Sequence, residues 1–239
     1  MANLTVSVMS CSRTDEWVSE DRPDPLDAQT GTQSLIDWCL TPGFWHTIHC
    51  MAHASRSVPG TLSSEERVVI VDRDNNVVGA SDRGTMRAAV LPHRATFVFI
   101  TNSAGCLAVQ KRTAVKDFCP SYFDVCAGGV VGDGESYEDN ARREAMEEMG
   151  VDGDLLQHIK AFYVEQLEGP VNTQCRCHGD IWACEYDGQL TLQEEEVESV
   201  EFLRPEEAMR RAAEGMKFCP DGLVALRHFL EHRQANSRT

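Results

Sequence analysis

Between Gly129 and Val151 the chain carries Arg143, Glu144, Glu147 and Glu148 inside a segment whose two ends are both marked. Ser136 is placed to cap a helix, with Asp139 three residues on as its acidic partner. Gly150 supplies the residue type that ends a helix most cheaply in a left-handed conformation. At about 100° per residue, Glu144, Glu147 and Glu148 fall within about 100° of arc on one helix face. Ala145, Met146 and Met149 are expected on the other side, toward the core. Three carboxylates so close repel one another. A hard divalent cation held through oxygen resolves that conflict, and magnesium fits, with manganese as its substitute. Arg143 is placed to hold one of the carboxylates.

A charge run is usually a solvated face, but the flanks here count against that reading. Gly129 is followed after five residues by Glu135, and after seven more by Arg143-Glu144-Ala145-Met146-Glu147-Glu148-Met149-Gly150-Val151. Seven fixed letters at these spacings arise by chance about once in 10⁸ windows. Gly128, Gly129, Gly132 and Gly134 allow a tight turn from strand to helix and close approach of a ligand or metal, and Glu135 is placed to brace that loop.

This pattern resembles the Nudix box at every fixed position. The resemblance spans roughly residues 66–232. His93-Arg94-Ala95, Val109-Gln110-Lys111-Arg112-Thr113, Lys116-Asp117, Pro120, Leu192–Val197 and Phe218-Cys219-Pro220-Asp221 look like one branch of the family, bacterial-type hydrolases related to isopentenyl diphosphate isomerase. The resemblance implies an α+β Nudix fold, a mixed β-sheet sandwiched between helices. It implies magnesium-dependent hydrolysis of a diphosphate linkage in a nucleoside diphosphate derivative or related small organic diphosphate. Glu144, Glu147 and Glu148 would be the metal ligands. Arg143, Glu147 and Glu196 would form the catalytic set, and Arg112, Lys116 and Gly129 would line the substrate. Family members differ in which carboxylate accepts the water proton. The later candidates are Glu165, Glu168 and Glu194–Glu196, with Glu196 first among them. An isomerase reading is the first alternative, because Cys126 lies near that enzyme's catalytic cysteine. Ala127-Gly128-Gly129 then departs from the histidine and proline that follow it there. A catalytically silent module that binds a nucleotide or a protein is the second alternative, and the intact glutamate set argues against it.

The rest of the chain frames this segment. Val68–Val71 and Val77-Val78 read as strands around a polar turn, as do Ala95–Thr101 and Cys106–Val109 around Asn102–Gly105. Further strands are expected at Ile159–Val164, Ile181–Tyr186 and Val197–Leu203. Helices are expected from Pro205 and over Gly222–His232, with 233–239 a frayed tail. Residues 1–65 read as a separate extension: polar, weakly periodic, yet carrying Trp17, Trp38, Phe44 and Trp45, with a short helix over Leu35–Trp45. It is open whether this extension closes over the pocket, mediates a homodimer, or does neither. His46, His49, Cys50 and His53 have the spacing of a packed helix face as well as of a metal site, and packing is preferred. Cys175, Cys177 and His178 lack the second pair of a zinc site.

The net charge of −16 argues against a nucleic-acid or anionic-membrane surface, but not against a phosphorylated small molecule bound through a metal. No apolar run approaches a membrane span, and the first residues lack the pattern of a secretory signal. The ten cysteines, at scattered spacings, then read as reduced thiols of a cytoplasmic protein.

Overall fold

A computed structural model describes residues 63–236. The proposed features of the extension, His46, His49, Cys50 and His53 among them, lie outside the described residues. The apolar run Val68–Val71 makes up most of strand β1 (Arg67–Val71), which pairs antiparallel with β2 (Val77–Asp82). Asp72 closes their turn by accepting from the amides of Asp74 and Asn76, each at 2.9 Å. A short helix α1 (Arg83–Ala89) follows, capped by Asp82. The sequence reading missed it, because a two-turn helix with one buried residue, Met86, has almost no periodicity to detect.

Strand β3 (His93–Thr101) is the centre of the sheet. Strands β4 (Leu107–Arg112) and β5 (Phe123–Asp124) lead to the glycine segment, and helix α2 (Tyr137–Met149) follows it. Strands β6 (Gln157–Gln166), β7 (Cys175–Glu185) and β8 (Val197–Leu203), then helices α3 (Pro205–Ala213) and α4 (Pro220–Asn236), complete the described chain. The last helix runs through Asn236, so the expected frayed stretch from Arg233 is helical for its first four residues.

The eight-stranded sheet is mixed. β3 pairs in parallel with β7 along its whole length, and β7 pairs antiparallel with β6. On its other side β3 meets the glycine segment. Val98 and Ala127 exchange both backbone hydrogen bonds, and Thr96 donates to the Gly129 carbonyl at 2.9 Å. The two faces of β3 then feed two cores. Ala95, Phe97 and Phe99 join residues of α3 and α4, with Phe99 stacked on Phe229 at 4.6 Å. Val98 and Ile100 join Ala141, Ala145 and Met149 of α2. Helices therefore cover both faces, the sandwich expected. Met146 is the exception to the expected core face: it is 51% exposed.

Candidate active site

Helix α2 is fixed to the glycine segment from both ends. Ser136 caps it by accepting from the Asp139 amide, and Gly150 ends it with φ 68°. Buried Asn140 ties the first turn down, donating to the Val130 carbonyl at 3.1 Å and to Glu135 at 2.8 Å. Glu135 also accepts from the Gly132 amide at 2.9 Å, so it braces the loop as the sequence suggested.

The three glutamates differ in exposure. The Glu148 side chain is 1% exposed, Glu144 12% and Glu147 43%. Glu148 accepts from the Gly128 amide at 3.1 Å and from Gln110 Nε2 at 3.3 Å, and Lys116 Nζ lies 3.4 Å from its other oxygen. Lys116 also pairs with Glu196. Arg143 Nη1 is 3.0 Å from Glu144 and 2.8 Å from Glu147, while its Nε donates to Glu135 at 2.9 Å. Burial pushes the Glu144 carboxyl up to about 7, against the pull of Arg143 and helped by the nearby Glu148 charge. Burial also works to raise Glu196, but Lys116, with Arg83 and Arg112 nearby, outweighs it and holds that carboxyl below its ordinary value.

The glycines give these carboxylates room. Gly128 has φ +133°, and a Cβ there would collide with the Thr96 carbonyl. A Cβ at Gly129 would collide with the Glu144 carboxylate. The sequence placed Gly129 at the substrate, and the geometry puts it directly behind Glu144.

Arg143, Glu144, Glu147, Glu148, Lys116 and Glu196 thus come together from α2, the loop after β4 and the turn just before β8. Arg112 is turned inward. It is 6% exposed, its Nε and Nη2 donate to the Phe118 carbonyl at 3.2 and 3.0 Å, and its Nη1 lies 3.5 Å from Asp124. It anchors the loop that presents Lys116. Glu165 is elsewhere, paired with Arg73 and Arg176. Cys126 is 4% exposed, with Sγ 3.5 Å from Asp124 Oδ1. Cys175 and Cys177 are buried in the core on β7, and His178 packs on Tyr163. Gln110 and Arg83 were missed from sequence. Gln110 sits in the Gln110-Lys111-Arg112 run on β4, where burial of an amide beside a glutamate has no local signature.

The carboxylate oxygens suit a hard cation, and Gly129, lacking a Cβ, lets the Glu144 carboxylate pack directly against its backbone. Among the described residues no three acidic, His or Cys side chains already converge as a ligand set. Arg143 and Lys116 hold the glutamates as their counter-charges.

The fold agrees with comparisons to known proteins. The NUDIX domain model matches residues 91–220, more than half of the chain. An uncharacterized Nudix hydrolase of Yersinia pestis is 43% identical over 161 residues, covering 67% of this chain and 84% of that protein. The uncharacterized Nudix hydrolase YfcD of Escherichia coli K12 is 39% identical over 175 residues, covering 73% and 92%. The crystal structure of DR0079 from Deinococcus radiodurans aligns with a TM-score of 0.59 at 28% identity, covering 68% of this chain and 98% of that one. The chain belongs to the Nudix hydrolase family and is a pyrophosphohydrolase of that family.

Proposed function

We propose that the protein is a magnesium-dependent hydrolase, with manganese as an alternative cation, that cleaves the diphosphate linkage of a nucleoside diphosphate derivative or a related small organic diphosphate. The observation that carries this is the burial of Glu144 and Glu148 on one helix face against Gly128 and Gly129. Two carboxylates are kept there, offset mainly by Arg143 and Lys116. Glu144, Glu147 and Glu148 would hold the cation, which when bound neutralises phosphate oxygens and acidifies water.

The chain's own residues supply the remainder. Arg143 orients Glu144 and Glu147 and is itself oriented by Glu135. Lys116 carries positive charge to the point where a diphosphate would meet Glu148. Glu196, kept ionised by Lys116, accepts the proton of the attacking water at its carboxylate. Arg112 acts through the loop that bears Lys116. Cys126 supports hydrolysis over isomerisation: burial, with Asp124 and Asp221 close by, pushes its thiol well up, away from the reactive thiolate. A cytoplasmic setting is supported by the buried free thiols of Cys119, Cys126, Cys175, Cys177, Cys184 and Cys219. No helix among the described residues is long and apolar enough to cross a membrane.

The test is product release from a panel of nucleoside diphosphate derivatives with and without magnesium. Wild type is expected to turn over at least one member, and Glu148→Gln none. Equal rates from both proteins would refute the site.

A further inference from the structure

Gln110 is a buried amide beside the glutamates. Its backbone is fixed on both sides, because β4 pairs there with Asp124 of β5 and with Val200 of β8. Its side chain reaches toward α2, where Nε2 donates to the Cys126 carbonyl at 2.7 Å and to Glu148 Oε2 at 3.3 Å. The amide fits only one way round. Reversed, its oxygen would face a carbonyl and a carboxylate, lone pair against lone pair. This orientation leaves Gln110 Oε1 buried with no hydrogen-bond partner among the described residues, in a residue only 1% exposed. An orphaned buried acceptor is costly. The side chain thus leaves one end unsatisfied to place Nε2 at the other.

The two oxygens of Glu148 meet different kinds of donor. Oε2 accepts from the Gly128 amide at 3.1 Å and from Gln110. Both donors are neutral and both are fixed. One is the backbone of the glycine segment, hydrogen-bonded to β3, and the other is a buried amide on β4. A carboxylate oxygen has about two lone-pair sites, so Oε2 is filled. Oε1 meets Lys116 Nζ at 3.4 Å. That ammonium is a point charge on a flexible stem, and it also pairs with Glu196. One oxygen is tied down by rigid donors, and the other faces a partner that can move.

We propose that Gln110 is a positioning residue for metal binding: with the Gly128 amide it occupies Glu148 Oε2, so that Glu148 offers Oε1 alone to the cation. The assignment rests on the glutamate helix being the cation centre. Binding through one oxygen uses one coordination position where both oxygens would use two. It leaves another for a phosphate oxygen or a water. Gln110 touches neither cation nor substrate. It acts by fixing how Glu148 is turned, as hydrogen-bond partners of ligating carboxylates generally do.

The experiment is calorimetric titration of the full chain with Mn²⁺, without substrate, in a double-mutant cycle. Gln110→Met keeps the length of the side chain and removes the donor. It loses the Cys126 bond but also removes the orphaned oxygen, so it should fold with nearly wild-type stability. Its Mn²⁺ affinity should fall about 10–100-fold. Glu148→Gln should bind Mn²⁺ more weakly than wild type, and in that background Gln110→Met should cost less than about twofold more. A role confined to the Cys126 turn would give the same loss in both backgrounds. Gln110→Asn, which withdraws the amide by one methylene, should shift affinity in the same direction and serves if Gln110→Met does not fold. Wild-type affinity in a folded Gln110 variant, or equal losses in the two backgrounds, would overturn the proposal. Failure of both variants to fold would make Gln110 a residue of the fold and overturn it too. Failure of the glutamate assignment reads out separately, as Glu148→Gln binding Mn²⁺ like wild type.

Discussion

Glu135 and Arg143 lock together from opposite sides of the helix start: Arg143 Nε donates to Glu135 Oε1 at 2.9 Å and Nη2 reaches the other oxygen at 3.3 Å. Glu135 stands outside the helix, yet through this fork it fixes the guanidinium that holds Glu144 and Glu147. Burial works to raise the Glu135 carboxyl, but Arg143, the Gly132 amide and Asn140 outweigh it and hold it below its ordinary value.

Glu135→Ala should therefore lower kcat and magnesium affinity by about 10–100-fold, the usual scale for a group that orients metal ligands. The measurement is activity titrated with magnesium. Glu135→Gln should be milder, since it retains an acceptor for the Gly132 amide. Unchanged magnesium dependence in Glu135→Ala would show that Arg143 needs no anchor.

Glu148→Gln is nearly isosteric and leaves the acceptor for the Gly128 amide in place. Turnover should fall by at least about 10³-fold if Glu148 holds the cation that carries the electrostatic catalysis. The protein should still fold, as judged by circular dichroism and a cooperative thermal transition. A folded variant retaining more than a tenth of wild-type activity would remove Glu148 from the site.

The two glycines separate a steric role from a backbone one. Gly129→Ala meets the end of a side chain, Glu144, which can shift, so metal affinity should drop with modest loss of stability. Gly128→Ala meets the Thr96 backbone at a positive φ, where nothing can yield. It should cost on the order of 2 kcal/mol or more in stability. Denaturant unfolding of both variants checks the order, and a Gly129→Ala protein less stable than Gly128→Ala would reverse the argument.

These contrasts also explain what was legible beforehand. Ser136, Gly150 and the spacing of Glu144, Glu147 and Glu148 are local signals, so the helix and its acidic face could be read directly. The strands around β3 are apolar runs bounded by polar turns and were equally plain. The Lys116–Glu196 pair joins residues 80 apart in sequence, and Arg83–Asp117 joins residues 34 apart. Such pairs exist only once β8 lies beside β4 and α1 folds back on the following loop. Arg112 was placed at the substrate from sequence, and the structure turns it inward for the converse reason. A cation in a strand looks like a surface group, and only the fold shows that the Phe118 carbonyl and Asp124 draw it inward.

Asp124 gives a pH prediction for stability. Its side chain is 13% exposed, packed where Gly222 leaves space, and faces Arg112, Cys126 and, at longer range, Asp221. Burial pushes its carboxyl up to about 6 from an ordinary 3.8, against the pull of Arg112. The folded protein therefore holds this proton more tightly than the unfolded chain. Asp124's contribution to stability is full below about pH 4 and is lost as pH rises through about 6, opposite in sign to the usual ion-paired carboxylate. Relative to Asp124→Asn, which cannot ionise, wild type should lose up to about 3 kcal/mol between about pH 4 and pH 7. Urea unfolding of both proteins across that range measures it. A difference that stays constant with pH would mean that Arg112 neutralises Asp124 fully and the carboxylate is ionised throughout. A difference that grows in favour of wild type would mean that the ion pair dominates burial.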